Sequence, residues 1–358
     1  MKLTLIVPAP FGTVSGGYMY DSRMVAAWRQ EGKIVEIVEL AGSHPMADNQ
    51  ARQAARACLS AIGWLPAQGV TVIDGLALPA FAGLEAEIGH VTGLIHHPVS
   101  METALGDTHR AALAAIEKRL FPALNQVIVT SETTAHTLVA DFAVPREKVI
   151  VITPGTDSVP RSSGSGGPGC HVLSVGTLIP RKGHDVLLRA LARLFDLDWH
   201  LTILGSADRD PAHAEQLARL ADTLDIAHRV TFAGEVVGPG LQALWQRADL
   251  FALATHYEGY GMAVAEALAH GLPVAITQGG AAAALVPIEG GVVCVPGDAD
   301  GLSKAMRRLI FSADLRRAMG DTAWQAGQAL PTWKAQGKLF IQETRGTAPY
   351  PIKGQQPL

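Results

Sequence analysis

Short runs of valine, isoleucine and leucine recur along the whole chain, and polar or amphipathic stretches separate them. In the first half the runs are LTLIV, IVEIVEL, TVIDG, VTGLIHH, QVIVTS and VIVIT. Such near-continuous apolar runs are typical of parallel strands that are covered on both faces. The stretches between them, such as Leu113–Leu124, have helical spacing. The pattern predicts alternating strands and helices.

A second series of the same kind follows an interruption at PGTDSVPRSSGSGGPG, whose proline, glycine and serine content predicts a linker or an exposed loop. Its apolar runs are HVLSVGTL, WHLTILG, VTFAG, LFALAT, LPVAIT and GVVCVP, and helical stretches such as Gly183–Phe195 and Pro211–Leu224 follow most of them. Strand–helix alternation in two series predicts an α/β chain with two Rossmann-like domains, each a doubly wound parallel sheet.

The predicted boundaries follow from this plan. We expect an N-terminal domain over residues 1–155, a linker over 156–169 and a C-terminal domain over 170–330. A final helix over 331–345 is expected to pack back on the N-terminal domain. Ligands of such sheets bind at the carboxyl ends of the strands. Two domains that face each other would therefore form one deep cleft.

Composition excludes some classes of protein. The 358 residues are 48% hydrophobic and 17% charged, which is enough to bury two cores. The net charge of −4 argues against a general nucleic-acid-binding protein. Three scattered cysteines indicate a reducing compartment, and the absence of a long apolar run indicates that no segment spans a membrane. We therefore expect a cytoplasmic protein. The start, MKLTLIVPAP, predicts a first strand and not a signal peptide.

Two carboxylates stand eight residues apart in HYEGYGMAVAEALAHGLPV. Glu258 lies in a glycine-rich loop after a predicted strand, and Glu266 lies in the helix that is expected to start near Gly261. Carboxylates accept hydrogen bonds from two neighbouring sugar hydroxyls, and the amides around Glu258 can meet other polar groups of a ligand. A surface glutamate on a helix is ordinary, so Glu266 alone is a weaker candidate than Glu258.

Two adjacent cations, Arg181 and Lys182, follow another predicted strand in SVGTLIPRKGHD. At the carboxyl end of a strand, an arginine fork beside a lysine point charge suits a diphosphate. A solvated basic turn is the alternative.

Gly16 and Gly17 stand where the first strand turns into a helix, within PAPFGTVSGGYMYDSR. Glycine lets backbone approach a ligand closely, and the start of a helix offers unpaired N–H groups to an anion. A turn without a ligand is equally compatible. The stretch is not a GxGxxG fingerprint, which counts against a dinucleotide dehydrogenase.

Two histidines, His96 and His97, follow the fourth strand in GLIHHPVSMET. A histidine at a strand end can bond a sugar hydroxyl or assist at a reacting carbon, although capping is the alternative. Without a third nearby ligand, the pair is a weak metal signal. The DRD at Asp208–Asp210 has a form that holds metal in other sugar-transfer folds; before Pro211 it is interpreted as a helix N-cap.

Taken together, these motifs resemble the retaining glycosyltransferases of family 4, which have the GT-B fold. The resemblance spans nearly the whole chain. It is carried by Gly16-Gly17, by His96, by PGTD, by PRKGHDVLLRAL, by the Glu258/Glu266 pair with its GYGM centre, and by GLPV followed by ITQGG.

The resemblance implies roles for these residues. Arg181 and Lys182 would neutralise the donor diphosphate, Glu258 would hold sugar hydroxyls, and His96 would lie by the donor sugar and the acceptor. His97 and Glu102 are candidates on the acceptor side. The remaining donor-binding candidates are Gly16, Gly17, Gly234, Glu235, Tyr260, Gly261, Met262 and Glu266.

One position departs from the family pattern. Many members carry an arginine where this chain has Thr177, so Arg181 would supply that cation.

The implied reaction moves a sugar from a nucleoside-diphosphate sugar to an acceptor hydroxyl with retention, and it needs no metal. The acceptor would be a carbohydrate, a small molecule or a lipid-linked compound, and a lipid-linked one would add peripheral contact with the inner membrane face. A sugar-nucleotide epimerase and a non-catalytic sugar-nucleotide-binding protein are the alternatives.

Overall fold

The computed structural model describes residues 1–12, 16–62, 69–102 and 105–345. The chain divides into two compact units. Unit 1 consists of Met1–Pro154 and the segment that begins at Trp333, and unit 2 consists of Gly155–Thr332.

Unit 1 contains six strands and five α-helices within the described residues. In chain order these are β1 (Lys2–Pro8), α1 (Gly16–Gln30), β2 (Ile34–Leu40), α2 (Asn49–Ile62), β3 (Gly69–Asp74), β4 (Thr92–Ile95), α3 (Asp107–Ala123), β5 (Gln126–Val129), α4 (Glu132–Phe142) and β6 (Val149–Val151), with the last helix, Trp333–Arg345, returning from the far end of the chain.

The sheet of unit 1 has the strand order β2-β1-β3-β4-β5-β6, and its pairs are parallel. The order reverses at β1, as in flavodoxin-like sheets. Ile6, Ile73 and Val127 point into one apolar core, whereas their neighbours Leu5 and Val72 are equally buried outside that core. Alternate residues of a strand face opposite sides, so both faces of the sheet are covered.

Unit 2 also contains six strands within the described residues, together with six α-helices. In chain order these are β7 (Cys170–Val175), α5 (His184–Ala192), β8 (Trp199–Leu204), α6 (Pro211–Thr223), β9 (Val230–Gly234), α7 (Gly238–Arg247), β10 (Leu250–Leu253), α8 (Met262–Ala269), β11 (Val274–Thr277), β12 (Gly291–Cys294), α9 (Ala299–Phe311) and α10 (Ala313–Ala329). The last helix of unit 1, Trp333–Arg345, is therefore α11.

The sheet of unit 2 has the order β12-β11-β10-β7-β8-β9, again with parallel pairs. Read from β9, this is the 3-2-1-4-5-6 order of the Rossmann fold. Val172 and Leu201 belong to one core with α5 and α9, and Leu173 and Phe251 belong to another with α7, α8 and α10. The two cores lie on opposite faces of the sheet, which confirms the predicted doubly wound arrangement.

All twelve predicted strands are present. The helix α1 begins at Gly16, at the predicted turn from the first strand into a helix. The segment 156–169 contains no helix or strand and is tied to unit 2: the Ser162 hydroxyl donates to the carbonyl of Ala248 (2.8 Å), and the Ser165 amide donates to Asp249 (3.1 Å). Among the helices of the described ranges, none combines the length and the apolarity needed to cross a bilayer.

The helix α11 packs on α1 in unit 1. The rings of Trp28 and Phe340 are 4.6 Å apart between centroids, and both side chains are fully buried. Gly337 permits this close approach, because a Cβ there would lie 2.6 Å from the Cβ of Ala27.

We expect Phe340→Ala to lower the free energy of unfolding by about 3–5 kcal/mol, because it removes a buried aromatic ring and leaves a cavity. Equilibrium urea denaturation followed by circular dichroism measures this. Phe311→Ala is the matched control: Phe311 is 79% exposed, and its replacement should change the value by less than about 0.5 kcal/mol. Equal effects of the two substitutions would contradict the packing of α11 on α1.

Candidate active site

The strand order of unit 2 reverses between β7 and β10, which pair in parallel through Val172 and Leu250. Parallel neighbours end at the same edge of a sheet, and the connections from these two strands leave in opposite directions. A crevice at such a point is where open α/β sheets bind ligands. The turn Pro180–Lys182 follows β7, and the loop that carries Glu258 follows β10.

Three predicted residues meet at this point. Lys182 Nζ lies 2.6 Å from Glu258 Oε1, and a guanidinium nitrogen of Arg181 lies 3.6 Å from the same oxygen. The Thr255 hydroxyl, at 3.0 Å, can also donate to it. Arg181 and Glu258 are each only 8% exposed. The structure therefore brings Arg181, Lys182 and Glu258 into one buried charged cluster, the switch-point cluster.

The cluster carries a net positive charge. Burial alone would raise the pKa of Glu258, but the positive charges of Lys182 and Arg181 and the hydrogen bonds from Lys182 and Thr255 lower it below its usual value. Glu258 is thus ionised at neutral pH, and two cations face one anion. A fixed cation pair in a partly buried site is suited to a phosphate or diphosphate.

Backbone hydrogen bonds fix the two segments to each other. The Arg181 carbonyl accepts from the His256 amide at 2.8 Å, and Arg181 Nη1 donates to the Tyr257 carbonyl at 2.6 Å. The Glu258 amide donates to the Gly279 carbonyl at 3.1 Å. Because these bonds are made by main chain and by a buried guanidinium, the cations are held in place before any ligand arrives.

The glycine-rich loop ends at Gly261, whose φ of +103° is a conformation that favours glycine. The helix α8 begins at the next residue, Met262, so its first amides lie directly beyond the switch-point cluster. Tyr260 is buried, and burial raises the pKa of its hydroxyl to about 12. Glu266 is half-buried one turn into α8, which agrees with the predicted placement.

Gly234 and Glu235 lie at the end of β9, the edge strand two positions from β7. The Gly234 carbonyl accepts from the Gly205 amide at 2.9 Å, which joins the ends of β8 and β9. Glu235 is exposed. The structure leaves these two residues at the same edge of the sheet as the switch-point cluster, without contact to it.

His184 is a buried residue that the motif analysis did not single out. It begins α5 directly after the Lys182–Gly183 turn, and neither ring nitrogen has a hydrogen-bond partner among the described residues. Burial and the neighbouring Lys182 lower the pKa of His184 to about 3, so the ring is neutral at physiological pH. The apolar spacing of His184, Leu187, Leu188 and Leu191 is a signal from which a buried position could have been predicted.

In unit 1, His96 lies between two carboxylates that come from different elements. Its Nε2 is 3.2 Å from Oδ1 of Asp21, on α1, and 3.3 Å from Oδ2 of Asp74, at the end of β3. Asp21 and Asp74 are almost fully buried. The Tyr20 ring meets His96 edge-on at 5.1 Å. The prediction of His96 named neither carboxylate, because residues so far apart in sequence give no local pattern.

Charges within this cluster shift the pKa values of His96 and of Asp21. Burial opposes a charge on His96, but the charges and hydrogen bonds of Asp21 and Asp74 raise its pKa to about 10. Burial and the nearby Asp74 raise the pKa of Asp21 to about 6, against the opposing effect of His96.

Gly17 contacts this cluster and Gly16 does not. A Cβ at Gly17 would lie 3.2 Å from Cδ2 of His96, whereas one at Gly16 would meet no atom within 4 Å. Gly17 therefore lets the start of α1 lie against the imidazole. Thr13–Ser15 of the predicted glycine-rich turn lie outside the described residues.

His97 and Glu102, the two acceptor-side candidates, form a hydrogen bond of 2.9 Å between Nε2 and Oε1. The segment between them is anchored by Glu117 of α3. Its buried carboxylate accepts from the amides of Val99 (2.6 Å) and Ser100 (3.2 Å). Residues 103 and 104 of this loop lie outside the described part of the chain.

In the described ranges one set of His and carboxylate atoms, from Asp21, Asp74 and His96, falls within 4.8 Å of one another. The contacts to Nε2 are hydrogen-bond distances, so a proton shared between the ring and the carboxylates accounts for the arrangement without a metal ion. At the DRD, Asp210 is the N-cap of α6 and accepts from the His213 amide at 3.0 Å, which confirms the interpretation made from the sequence.

Gly183 allows the turn after β7 to approach the end of β10. Its φ is +63°, and a Cβ there would lie 2.0 Å from the Ala254 carbonyl oxygen. We expect Gly183→Ala to cost about 2–5 kcal/mol, because it adds a steric clash to the strain of a left-handed conformation.

Gly238→Ala provides the matched control for this substitution. Gly238 has a φ of +62°, but a Cβ there would meet no atom within 4 Å, so only the conformational cost of about 1–2 kcal/mol remains. Urea denaturation of the two variants gives the comparison. If Gly183→Ala costs no more than Gly238→Ala, the close contact between the two switch-point segments is disproved.

Much of this chain is similar to known glycosyltransferases. The model of the family described as glycosyl transferases group 1 matches residues 159–325, which lie within unit 2. D-inositol 3-phosphate glycosyltransferase of Mycolicibacterium smegmatis is 31% identical over 238 residues, or 62% of this chain and 54% of that protein. Mannosylfructose-phosphate synthase of Agrobacterium fabrum is 25% identical over 251 residues, covering 65% of this chain and 55% of that protein. The matches thus span little more than half the length of these curated relatives.

Solved structures match the fold over nearly the whole chain. Sucrose-phosphate synthase of Thermosynechococcus elongatus has a TM-score of 0.80 at 21% identity, and the match covers 96% of this chain and 98% of that one. Anabaena Alr3699/HepE, solved in complex with UDP and glucose, has a TM-score of 0.76 at 16% identity, and the match covers 97% of this chain and 100% of that one. The chain therefore has the two-domain GT-B fold, and its second unit contains the segment that matches the family described as glycosyl transferases group 1.

Proposed function

We propose that this protein is a retaining glycosyltransferase of family 4 that moves a sugar from a nucleoside-diphosphate sugar to an acceptor hydroxyl. The observation that carries the proposal is the switch-point cluster of Arg181, Lys182 and Glu258. It lies within the segment that matches the glycosyl transferases group 1, at the edge of the sheet where such folds bind ligands.

The donor is assigned to unit 2. Strands lie about 4.8 Å apart, so the end of β9 is roughly 10 Å from the end of β7. A nucleoside diphosphate can extend along this edge, with its diphosphate at Arg181 and Lys182. Its base would then lie near Gly234 and Glu235, and Glu266 would bind the ribose.

Cleavage of the donor leaves negative charge on the departing diphosphate. Arg181 and Lys182 stabilise that charge as it develops, and the first amides of α8, at Gly261 and Met262, can add hydrogen bonds. Two fixed cations supply the positive charge that a divalent ion provides in other sugar transferases, so the proposal needs no metal. Gly16 and Gly17, at the start of α1, are the candidates for backbone contact with the donor from unit 1.

Retention follows if the acceptor attacks the face from which the diphosphate leaves. The bond from the anomeric carbon to the phosphate oxygen breaks, the bond to the acceptor oxygen forms, and the acceptor proton passes to the departing phosphate oxygen. Glu258 holds hydroxyls of the transferred sugar in this scheme, with Tyr260 beside it. His96 acts on the donor sugar and the acceptor, and the His97–Glu102 pair lies on the acceptor side.

The identity of the acceptor is proposed only as a class. Curated relatives include an inositol phosphate glycosyltransferase and a mannosylfructose-phosphate synthase, and a fold neighbour is a lipopolysaccharide galactosyltransferase. A carbohydrate, small-molecule or lipid-linked hydroxyl compound fits this range. We place the enzyme in the cytoplasm, with peripheral membrane contact if the acceptor is lipid-linked.

Lys182→Ala should lower kcat by about 10²–10³, because it removes a preorganised cation from the departing diphosphate. Glu258→Ala should have an effect of similar size, since Lys182 then loses its partner and the sugar loses its carboxylate. Transfer assays with a nucleotide sugar and a panel of acceptors measure this. Lys304→Ala, at an exposed position of α9, is the control and should leave kcat unchanged. Near-normal transfer by Lys182→Ala, or epimerised sugar nucleotide released without an acceptor, contradicts the proposal.

A thermal-shift screen against UDP, GDP and ADP should identify the nucleotide. A ligand that binds the native state at about 100 times its Kd adds about 2.7 kcal/mol, which raises Tm by on the order of 5 °C. The same nucleotide should give little shift with Lys182→Ala and the full shift with Lys304→Ala. A shift that does not depend on Lys182 would place the nucleotide elsewhere.

A further inference from the structure

The cluster of His96, Asp21 and Asp74 in unit 1 contains more negative charge than a simple histidine–carboxylate pair. A single ring nitrogen, Nε2, lies within 3.3 Å of oxygens from both carboxylates. If Nε2 carried a lone pair, that lone pair would face two anionic oxygens. Two ionised carboxylates therefore require a proton on Nε2, which both the neutral Nε2–H tautomer and the imidazolium supply.

Both carboxylates are held where they are. Asp21 is 1% exposed and Asp74 is 4% exposed, so water can do little to screen them. Oδ1 of Asp74 accepts from the Leu76 amide at 2.9 Å, which fixes the orientation of that carboxylate. Burial and Asp74 raise the pKa of Asp21 to about 6, so both carboxylates are ionised above that pH. Two buried anions then favour the imidazolium over the neutral tautomer of the ring between them.

The neighbouring groups Tyr20, His44 and His97 do not take this positive charge from His96. Tyr20 of α1 packs against the imidazole, and burial raises the pKa of its hydroxyl, so it stays neutral. His44 lies near Asp74, but burial lowers the pKa of its ring, which is uncharged at neutral pH. On the element of His96 itself, His97 is engaged with Glu102.

We propose that Asp21 and Asp74 hold His96 as an imidazolium with a fixed Nε2–H, so that in sugar transfer His96 is a cation and not a general base. Asp21 and Asp74 are then positioning residues. The catalytic meaning of this inference rests on the proposed function, but the charge state of His96 does not. An imidazolium cannot take the acceptor proton, which strengthens the assignment of that proton to the departing phosphate oxygen.

Nuclear magnetic resonance of the intact protein tests the charge state directly. The protein is labelled with ¹⁵N-histidine, and the resonances of His96 are assigned by their absence in His96→Asn. We expect the His96 ring to remain protonated throughout the range from pH 6 to pH 8, in keeping with a pKa of about 10. A titration midpoint at or below the ordinary histidine value of about 6.5 overturns the proposal whether or not the protein transfers a sugar.

Substitution of either carboxylate by its amide separates a charge effect from a structural one. Asp21→Asn and Asp74→Asn keep the shape of the side chain but remove one anion, so each should move the His96 midpoint to lower pH. In the pH profile of kcat, the pH at which activity falls on the alkaline side should decrease together with the His96 midpoint. Variants that lose activity while the His96 midpoint stays in place contradict the positioning role. If one variant fails to fold, the other and the wild-type titration still decide the question.

Discussion

The ion pair between Lys182 and Glu258 is the interaction on which the rest of the account depends. Charges are costly to bury, and this pair persists because the Glu258 carboxylate accepts hydrogen bonds from Lys182 and from the Thr255 hydroxyl. It also joins segments that follow two different strands, β7 and β10. The pair is possible only where those strands are neighbours, which the 3-2-1-4-5-6 order provides. The topology of unit 2 thus determines where positive charge is fixed.

His184 of unit 2, which is buried, and His96 of unit 1, which is half-buried, differ in charge. His184, behind Lys182, is kept neutral by burial and by the adjacent cation, so the positive charge of the switch-point cluster stays on Lys182 and Arg181. His96 is made positive by two buried carboxylates. The same side chain therefore serves as a neutral packing group in one unit and as a cation in the other. Position relative to fixed charges, and not residue type, decides the difference.

Much of the fold and part of the site could be predicted from the sequence. Apolar runs located all twelve strands, because parallel strands buried on both faces leave a local signature. Arg181, Lys182 and Glu258 were predicted because each stands just after such a run, where the fold places ligand-binding groups. Asp21 and Asp74 were not, since their contact with His96 exists only once α1 and the ends of β3 and β4 are assembled. Asp74 is the last residue of β3 and could have been predicted as a site residue for that reason. Asp21 lies inside α1, and its position gives no such signal.

A crystal structure with a bound nucleotide sugar tests the central claim most directly. The account predicts the diphosphate at the carboxyl edge of the unit 2 sheet, with its oxygens within about 3 Å of Lys182 Nζ and the Arg181 guanidinium. The sugar hydroxyls should meet the Glu258 carboxylate. A nucleotide sugar bound at any other place, with Lys182 and Arg181 still paired with Glu258, would contradict it.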